Sequence, residues 1–76
     1  MEIVEKLFQE IGREDVTRDM EDLLEDGIID SVDVIAFLSA AEKYYNKPIS
    51  ADFIEFDSFS NFANIRAMLD RALQGQ

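Results

Sequence analysis

The side chain best placed for chemistry in this sequence is the hydroxyl of Ser31, which lies between two aspartates. Asp30 precedes it directly, and Asp33 follows two residues later, where a helical pattern of apolar residues begins. An aspartate before a helix accepts a hydrogen bond from a first-turn N–H group, and an acid three residues on completes a capping box. We therefore expect Ser31 at the exposed start of a helix, where free N–H groups and the helix dipole favour a phosphate ester.

The sequence offers no group that would make Ser31 a catalytic nucleophile. It contains no cysteine and no histidine, which excludes disulfides, thiolate metal sites and a histidine base. A serine hydroxyl needs an adjacent base before it attacks a substrate. We therefore predict that Ser31 does not activate itself and that the protein is not an enzyme. A serine at a helix start is also commonly only a structural residue.

The net charge of −10 is concentrated around the same segment. Between Glu14 and Asp33, nine acidic residues oppose a single basic residue, Arg18. Such a surface repels nucleic acid and anionic membranes and attracts basic protein surfaces. Two interpretations stay open, namely a surface that only aids solubility and a surface that binds a basic partner.

The spacing of apolar residues predicts an all-α fold in a single domain over residues 1–76. The predicted elements are a helix over about 2–11, a loop over 13–30, a helix over about 31–46, a short helix over about 50–54 and a helix over about 58–73. Asp57 or Ser58 is the predicted N-cap of the last helix. The long loop predicts a crossover connection, held in part by Arg18, rather than an up-and-down bundle.

The same spacing predicts which residues are buried. The first helix is expected to bury Ile3, Val4, Leu7, Phe8 and Ile11, and the loop Val16, Met20, Leu23 and Leu24. The second helix is expected to bury Ile35, Leu38, Ala41 and Tyr45, with Val34 and Phe37 beside them. Phe56, Phe59 and Phe62 are expected to form an aromatic cluster in the core. The outer face of the second helix then carries small residues, which a partner could approach closely, although for either alanine alone helix propensity is the simpler explanation.

The residues around Ser31 resemble the attachment segment of the carrier-protein family, the acyl and peptidyl carriers modified with 4′-phosphopantetheine. Residues 23–31 contain a glycine, two aliphatic residues, an aspartate and then the serine, in the order of that segment. The resemblance extends through residues 44–49 and 56–62 and covers nearly the whole chain. The outer face of the second helix is more similar to aminoacyl carriers, including D-alanyl carriers, whereas residues 27–31 are closer to free-standing carriers.

The resemblance implies a small four-helix carrier bundle in which Ser31 bears a 4′-phosphopantetheine arm derived from coenzyme A. An acyl or aminoacyl group would be held on the arm as a thioester, in fatty-acid, polyketide or nonribosomal-peptide biosynthesis. The implied partners are a phosphopantetheinyl transferase and the loading and downstream enzymes. The implied partner-binding residues are Asp30, Val32, Asp33, Ala36 and Ile54. We further expect a cytoplasmic monomer that neither binds nucleic acid nor inserts into a membrane.

One alternative function is an acidic helical module that binds a protein partner and carries no arm. A calcium site is a weaker alternative, because the acidic run from Asp22 superficially resembles a calcium-binding loop. Leu24 stands where such a loop needs an oxygen ligand, and the final glutamate is missing. We therefore predict no specific metal site. Neither a signal-peptide core nor a membrane-spanning run is visible in the sequence.

Overall fold

The computed structural model describes residues 2–49 and 54–74 of the chain. They form α1 (Ile3–Glu10), α2 (Ser31–Tyr45), a 3-10 helix (Phe56–Ser60) and α3 (Phe62–Gln74). Because these ranges contain helices and no strand, the all-α prediction is confirmed there. None of the helices in these ranges has the length and apolar composition needed to cross a membrane.

The predicted last helix is wrong at its start. The chain forms the 3-10 helix first, becomes extended at Asn61 (φ −156°, ψ 171°) and begins α3 at Phe62. The Oδ1 atom of Asn61 accepts a hydrogen bond of 2.8 Å from the N–H of Asn64, so Asn61 caps α3 in place of Asp57 or Ser58. Of the predicted short helix over 50–54, residues 50–53 lie outside the described residues, and Ile54 is not helical.

The core forms where α1 packs against both α2 and α3. Four phenylalanine rings form a continuous row of contacts across the core. Phe62 stacks on Phe8 at a centroid distance of 5.5 Å, Phe8 lies 4.8 Å from Phe37, and Phe37 meets the edge of Phe59 at 5.7 Å. Each ring comes from a different element, so the aromatic contacts join all four helices of the described chain. The predicted burial of Phe59 and Phe62 is confirmed.

The buried face of α1 is also as predicted, with Val4, Leu7 and Phe8 inaccessible to solvent. In α2 the buried residues are Val34, Phe37 and Ala41. The prediction that Ile35 points inward is wrong, because 63% of its surface is exposed. The spacing misleads here because α2 carries apolar residues on its outer side as well.

Phe56 is also misplaced by the sequence-based prediction, since it is 53% exposed. It is the first residue of the 3-10 helix, whereas Phe59 lies one turn further along and points into the core. Sequence proximity of the three phenylalanines therefore does not bring all three into the core.

The connection between α1 and α2 lies against the core, as predicted. Val16 and Leu23 are buried, and Met20 and Leu24 are partly buried against the same cluster. The N–H of Leu23 donates to the carbonyl oxygen of Ser60 at 3.0 Å, which ties the connection to the end of the 3-10 helix.

The two tyrosines of the chain lie at the opposite end of α2 from Ser31. The ring of Tyr44 meets Tyr45 edge-on at 5.0 Å, and the Nζ atom of Lys6 lies 5.0 Å from the centroid of the Tyr44 ring. This end of α2 is therefore joined to α1 by a contact between a cation and an aromatic ring.

Candidate functional site

Ser31 is the first residue of α2, and the aspartates on either side fix the start of the helix. The Oδ1 atom of Asp30 accepts a hydrogen bond from the N–H of Asp33, and the Oδ2 atom of Asp33 accepts one from the N–H of Asp30, both at 3.1 Å. The predicted capping box is therefore present. Ser31 itself is exposed, so the start of α2 leaves this residue accessible to a modifying enzyme.

A tight turn just before the site directs the chain toward Ser31. Gly27 has a φ of 74°, which glycine adopts without the steric cost of a Cβ atom. The N–H groups of Ile28 and Ile29 both donate to the carbonyl oxygen of Leu23, at 2.9 and 3.1 Å. Ile29 is buried, so the chain is held in the core only two residues before the exposed serine.

Arg13 joins the turn to the helix start. Its Nη1 atom donates to Oδ2 of Asp33 at 2.6 Å, and its Nη2 atom donates to the carbonyl oxygen of Ile28 at 2.5 Å. Its Nε and Nη2 atoms also donate to the two carboxylate oxygens of Asp15 at 3.1 Å. The hydrogen bonds to Asp15 and Asp33 raise the pKa of Arg13, and the bond from Arg13 lowers the pKa of Asp15.

The turn that ends α1 sets the position of Arg13. Gly12 has a φ of 78°, its N–H donates to the carbonyl oxygen of Gln9, and the N–H of Arg13 donates to that of Phe8. This pair of bonds is a Schellman motif, the common glycine-based end of a helix. The role of Arg13 is missing from the sequence-based prediction, which assigns the holding of the loop to Arg18, an exposed residue.

The surface beside Ser31 on α2 is apolar. Val32 and Ile35 are 70% and 63% exposed, and residues three or four positions apart share one side of a helix. Ser31, Val32 and Ile35 therefore lie on one continuous side of the first turns of α2. Val32 is one of the predicted partner-binding residues, whereas Ile35 is expected in the core and is found outside it. Large apolar side chains exposed together are a signal of binding.

The predicted partner-binding residues differ in how accessible they are. Asp30 and Val32 are exposed, whereas Ala36 is partly buried. Asp33 is partly buried, and its Oδ2 atom is already bonded to Arg13 and to the N–H of Asp30. Ile54 is partly buried and packs against the core. The structure thus brings Asp30, Ser31 and Val32 together at one exposed point and gives Asp33 a structural contact as well.

The arrangement suits covalent modification of an exposed hydroxyl. In the described ranges, no group of three or more histidine, cysteine, aspartate or glutamate side chains is placed to hold a metal ion. Comparison of the chain with protein-family models, curated proteins and solved structures finds no match. Membership of the carrier-protein family therefore stays a prediction from the residues around Ser31.

Proposed function

We propose that the protein is a carrier whose Ser31 accepts a 4′-phosphopantetheine arm and holds an acyl or aminoacyl group on it. The observation that carries the proposal is an exposed serine at the first position of a capped helix. The first N–H groups of a helix have no partner within the helix, and they favour negative charge beside them. A phosphodiester at Ser31 is stabilised in such a position.

The attachment is a transfer from coenzyme A catalysed by a phosphopantetheinyl transferase. The Oγ atom of Ser31 attacks the phosphorus that bears the pantetheine group, and the bond from that phosphorus to the bridging oxygen breaks. The nucleoside bisphosphate leaves, and a base of the transferase takes the hydroxyl proton. The carrier itself contributes the exposed oxygen and the docking surface around it.

The attached arm supplies the reactive group that this chain lacks. The sequence has no cysteine, so the thiol that forms the thioester comes from the arm. A tethered group reaches successive partner enzymes at a high effective concentration, which a freely diffusing intermediate does not have. The bundle would therefore act by presenting the intermediate, and the partner enzymes would perform the chemistry.

The exposed side chains around Ser31 are the proposed contacts for these enzymes. Val32 and Ile35 offer an apolar surface, and Asp30 places an exposed negative charge at its edge. A partner surface with an apolar centre and basic residues at its rim would complement both features.

The test is a loading assay with a matched serine variant. Wild-type protein, Ser31→Ala and Ser39→Ala are incubated with coenzyme A and a broad-specificity transferase, and intact masses are measured. Ser39 is an exposed serine on the same helix. We expect one arm on wild type and on Ser39→Ala and none on Ser31→Ala, with all three equally folded by circular dichroism. Folded wild-type protein that stays unmodified, or a loaded Ser31→Ala, would contradict the proposal.

A second candidate is an acidic module that binds a basic protein and carries no arm. The observation in its favour is that Glu25, Asp26 and Asp30 are all exposed near the same helix start. This candidate requires partner binding that survives Ser31→Ala and is lost when Glu25 and Asp26 are replaced by lysine. The loading assay separates it from the carrier, because it predicts no mass increase on wild type.

A further inference from the structure

We propose that Arg13 is a positioning residue for the modification of Ser31, an inference that rests on the proposed carrier function. Arg13 lies at the end of α1, yet its guanidinium contacts the chain on both sides of Ser31. The carbonyl oxygen of Ile28 is three residues before the serine, and the carboxylate of Asp33 is two residues after it. One side chain therefore fixes the distance between the incoming turn and the first turn of α2.

The geometry of arginine suits this role in a way that lysine does not match. The planar guanidinium presents its N–H donors in a fixed arrangement, and here Nε, Nη1 and Nη2 all donate. Asp15 accepts two of these bonds and orients the guanidinium from the other side. A lysine ammonium has three donors on a single atom and cannot span the carboxylate, the carbonyl and Asp15 at once.

Partial burial makes the contact between Arg13 and Asp33 less sensitive to salt than an ordinary surface ion pair. The two side chains are only 25% and 20% exposed, and salt screens partly buried pairs less than exposed ones. The Oδ2 atom of Asp33 also accepts the N–H of Asp30. Arg13 thus holds one half of the capping box, and its loss would loosen the turn and the helix start together.

Loosening of the turn and of the start of α2 should change the kinetics of the transferase. A transferase binds only those molecules in which Ser31 is presented correctly, so the apparent affinity falls in proportion to the fraction that presents it. Once the complex has formed, the reacting groups are the same as in wild type. The loss of Arg13 should therefore raise the KM of the transferase for the carrier and leave kcat nearly unchanged.

The experiment compares Arg13→Gln with Arg18→Gln under conditions where circular dichroism shows every variant folded. Both substitutions remove one positive charge, and Arg18 is an exposed residue of the same connection. For Arg13→Gln we expect a KM increase on the order of tenfold, as for a presenting fraction reduced to a tenth, with kcat within about twofold. Arg18→Gln should keep the wild-type KM.

Two further variants separate geometry from charge. Arg13→Lys keeps the positive charge and should still show a raised KM, whereas Arg18→Lys should match wild type. A wild-type KM for Arg13→Lys would mean that charge alone is required, and it would overturn the inference. If Arg13→Gln does not fold, the KM values of Arg13→Lys and Arg18→Lys are compared instead.

Amide hydrogen exchange tests the inference without the transferase. The N–H groups of Ile28, Ile29 and Val34 are hydrogen-bonded on either side of Ser31, and Arg13→Gln should speed their exchange while leaving that of Ile65 in α3 unchanged. Equal exchange in Arg13→Gln and Arg18→Gln would overturn the inference. If wild type cannot be loaded, the proposed function fails, whereas faster exchange in Arg13→Gln would still support the ordering role of Arg13.

Discussion

The inner and outer sides of α2 are built from similar residues but have opposite surroundings. Phe37 and Val34 are sealed in the core, whereas Val32 and Ile35, on the outer side, remain largely in water. The inner side gains free energy when the domain folds, and the outer side gains almost none. The exposed apolar residues lie on the same side of α2 as Ser31. The inner side of α2 therefore attaches the helix to the core, and the outer side is the one accessible from solvent.

The largest expected effect comes from truncating the inner side. Phe37→Ala should cost about 3–5 kcal/mol, because it leaves a cavity between the rings of Phe8 and Phe59. A domain of this size rarely has more than ~3–5 kcal/mol to lose, so we expect the variant to be mostly unfolded. The matched outer variant, Ile35→Ala, should change the free energy of unfolding by less than about 0.5 kcal/mol.

Urea unfolding followed by circular dichroism measures both variants. If Ile35→Ala lost as much stability as Phe37→Ala, the two sides of α2 would not differ in burial and the comparison would fail.

A smaller effect is expected from an exposed residue that nevertheless supports the fold. Asp30→Ala removes the N-cap of α2 and leaves the N–H of Asp33 without its acceptor, which typically costs about 1 kcal/mol. Asp26→Ala removes a charge from an exposed residue of the preceding turn and should change the stability by less than about 0.5 kcal/mol. Equal unfolding free energies for the two variants would show that the capping box contributes nothing.

The smallest expected effect is on stability at low pH, and it comes from Asp15 in the connection between α1 and α2. Arg13 lowers the pKa of Asp15 in the folded state, so this carboxylate contributes stability above its unfolded pKa of about 3.9. That contribution is lost as the pH falls through the lower folded value. Asp15→Asn should therefore unfold at a lower temperature than wild type at pH 6, and the difference should shrink below about pH 4.

Asp19→Asn is the control for the acid prediction, because it makes the same charge change at another exposed position of the connection. Thermal unfolding across a pH series compares the three proteins. A difference between wild type and Asp15→Asn that stayed constant across the series would contradict the assignment of the pKa shift to the contact with Arg13.

Features that depend on neighbouring residues could be predicted from the sequence. The capping box follows from an aspartate and a second acid three positions later, and the buried face of α1 follows from helical spacing alone. Ile35 could not be placed correctly, because α2 has apolar residues on more than one side and spacing does not choose between them. The start of α3 could not be placed because the break at Asn61 depends on a side-chain hydrogen bond. Phe56 could not be placed because the 3-10 helix that it begins is not among the predicted elements.

Arg13 illustrates the limit most clearly. Its partners Ile28 and Asp33 are 15 and 20 residues away in the chain, so no local pattern connects them. The contact exists because the turn at Gly12 directs the chain back past the start of α2. Only the folded arrangement of α1, the connection and α2 brings the positively charged side chain of Arg13 next to Asp33.

The pair of tyrosines at the end of α2 gives the protein an optical property of its own. The chain has two tyrosines and no tryptophan, so its intrinsic fluorescence comes from Tyr44 and Tyr45. Thirteen residues of helix place Tyr44 about 20 Å from Ser31, and Lys6 of α1 lies over its ring. Tyrosine emission should therefore report whether α1 and α2 remain in contact. The signal comes from the C-terminal end of α2, opposite the end that carries Ser31.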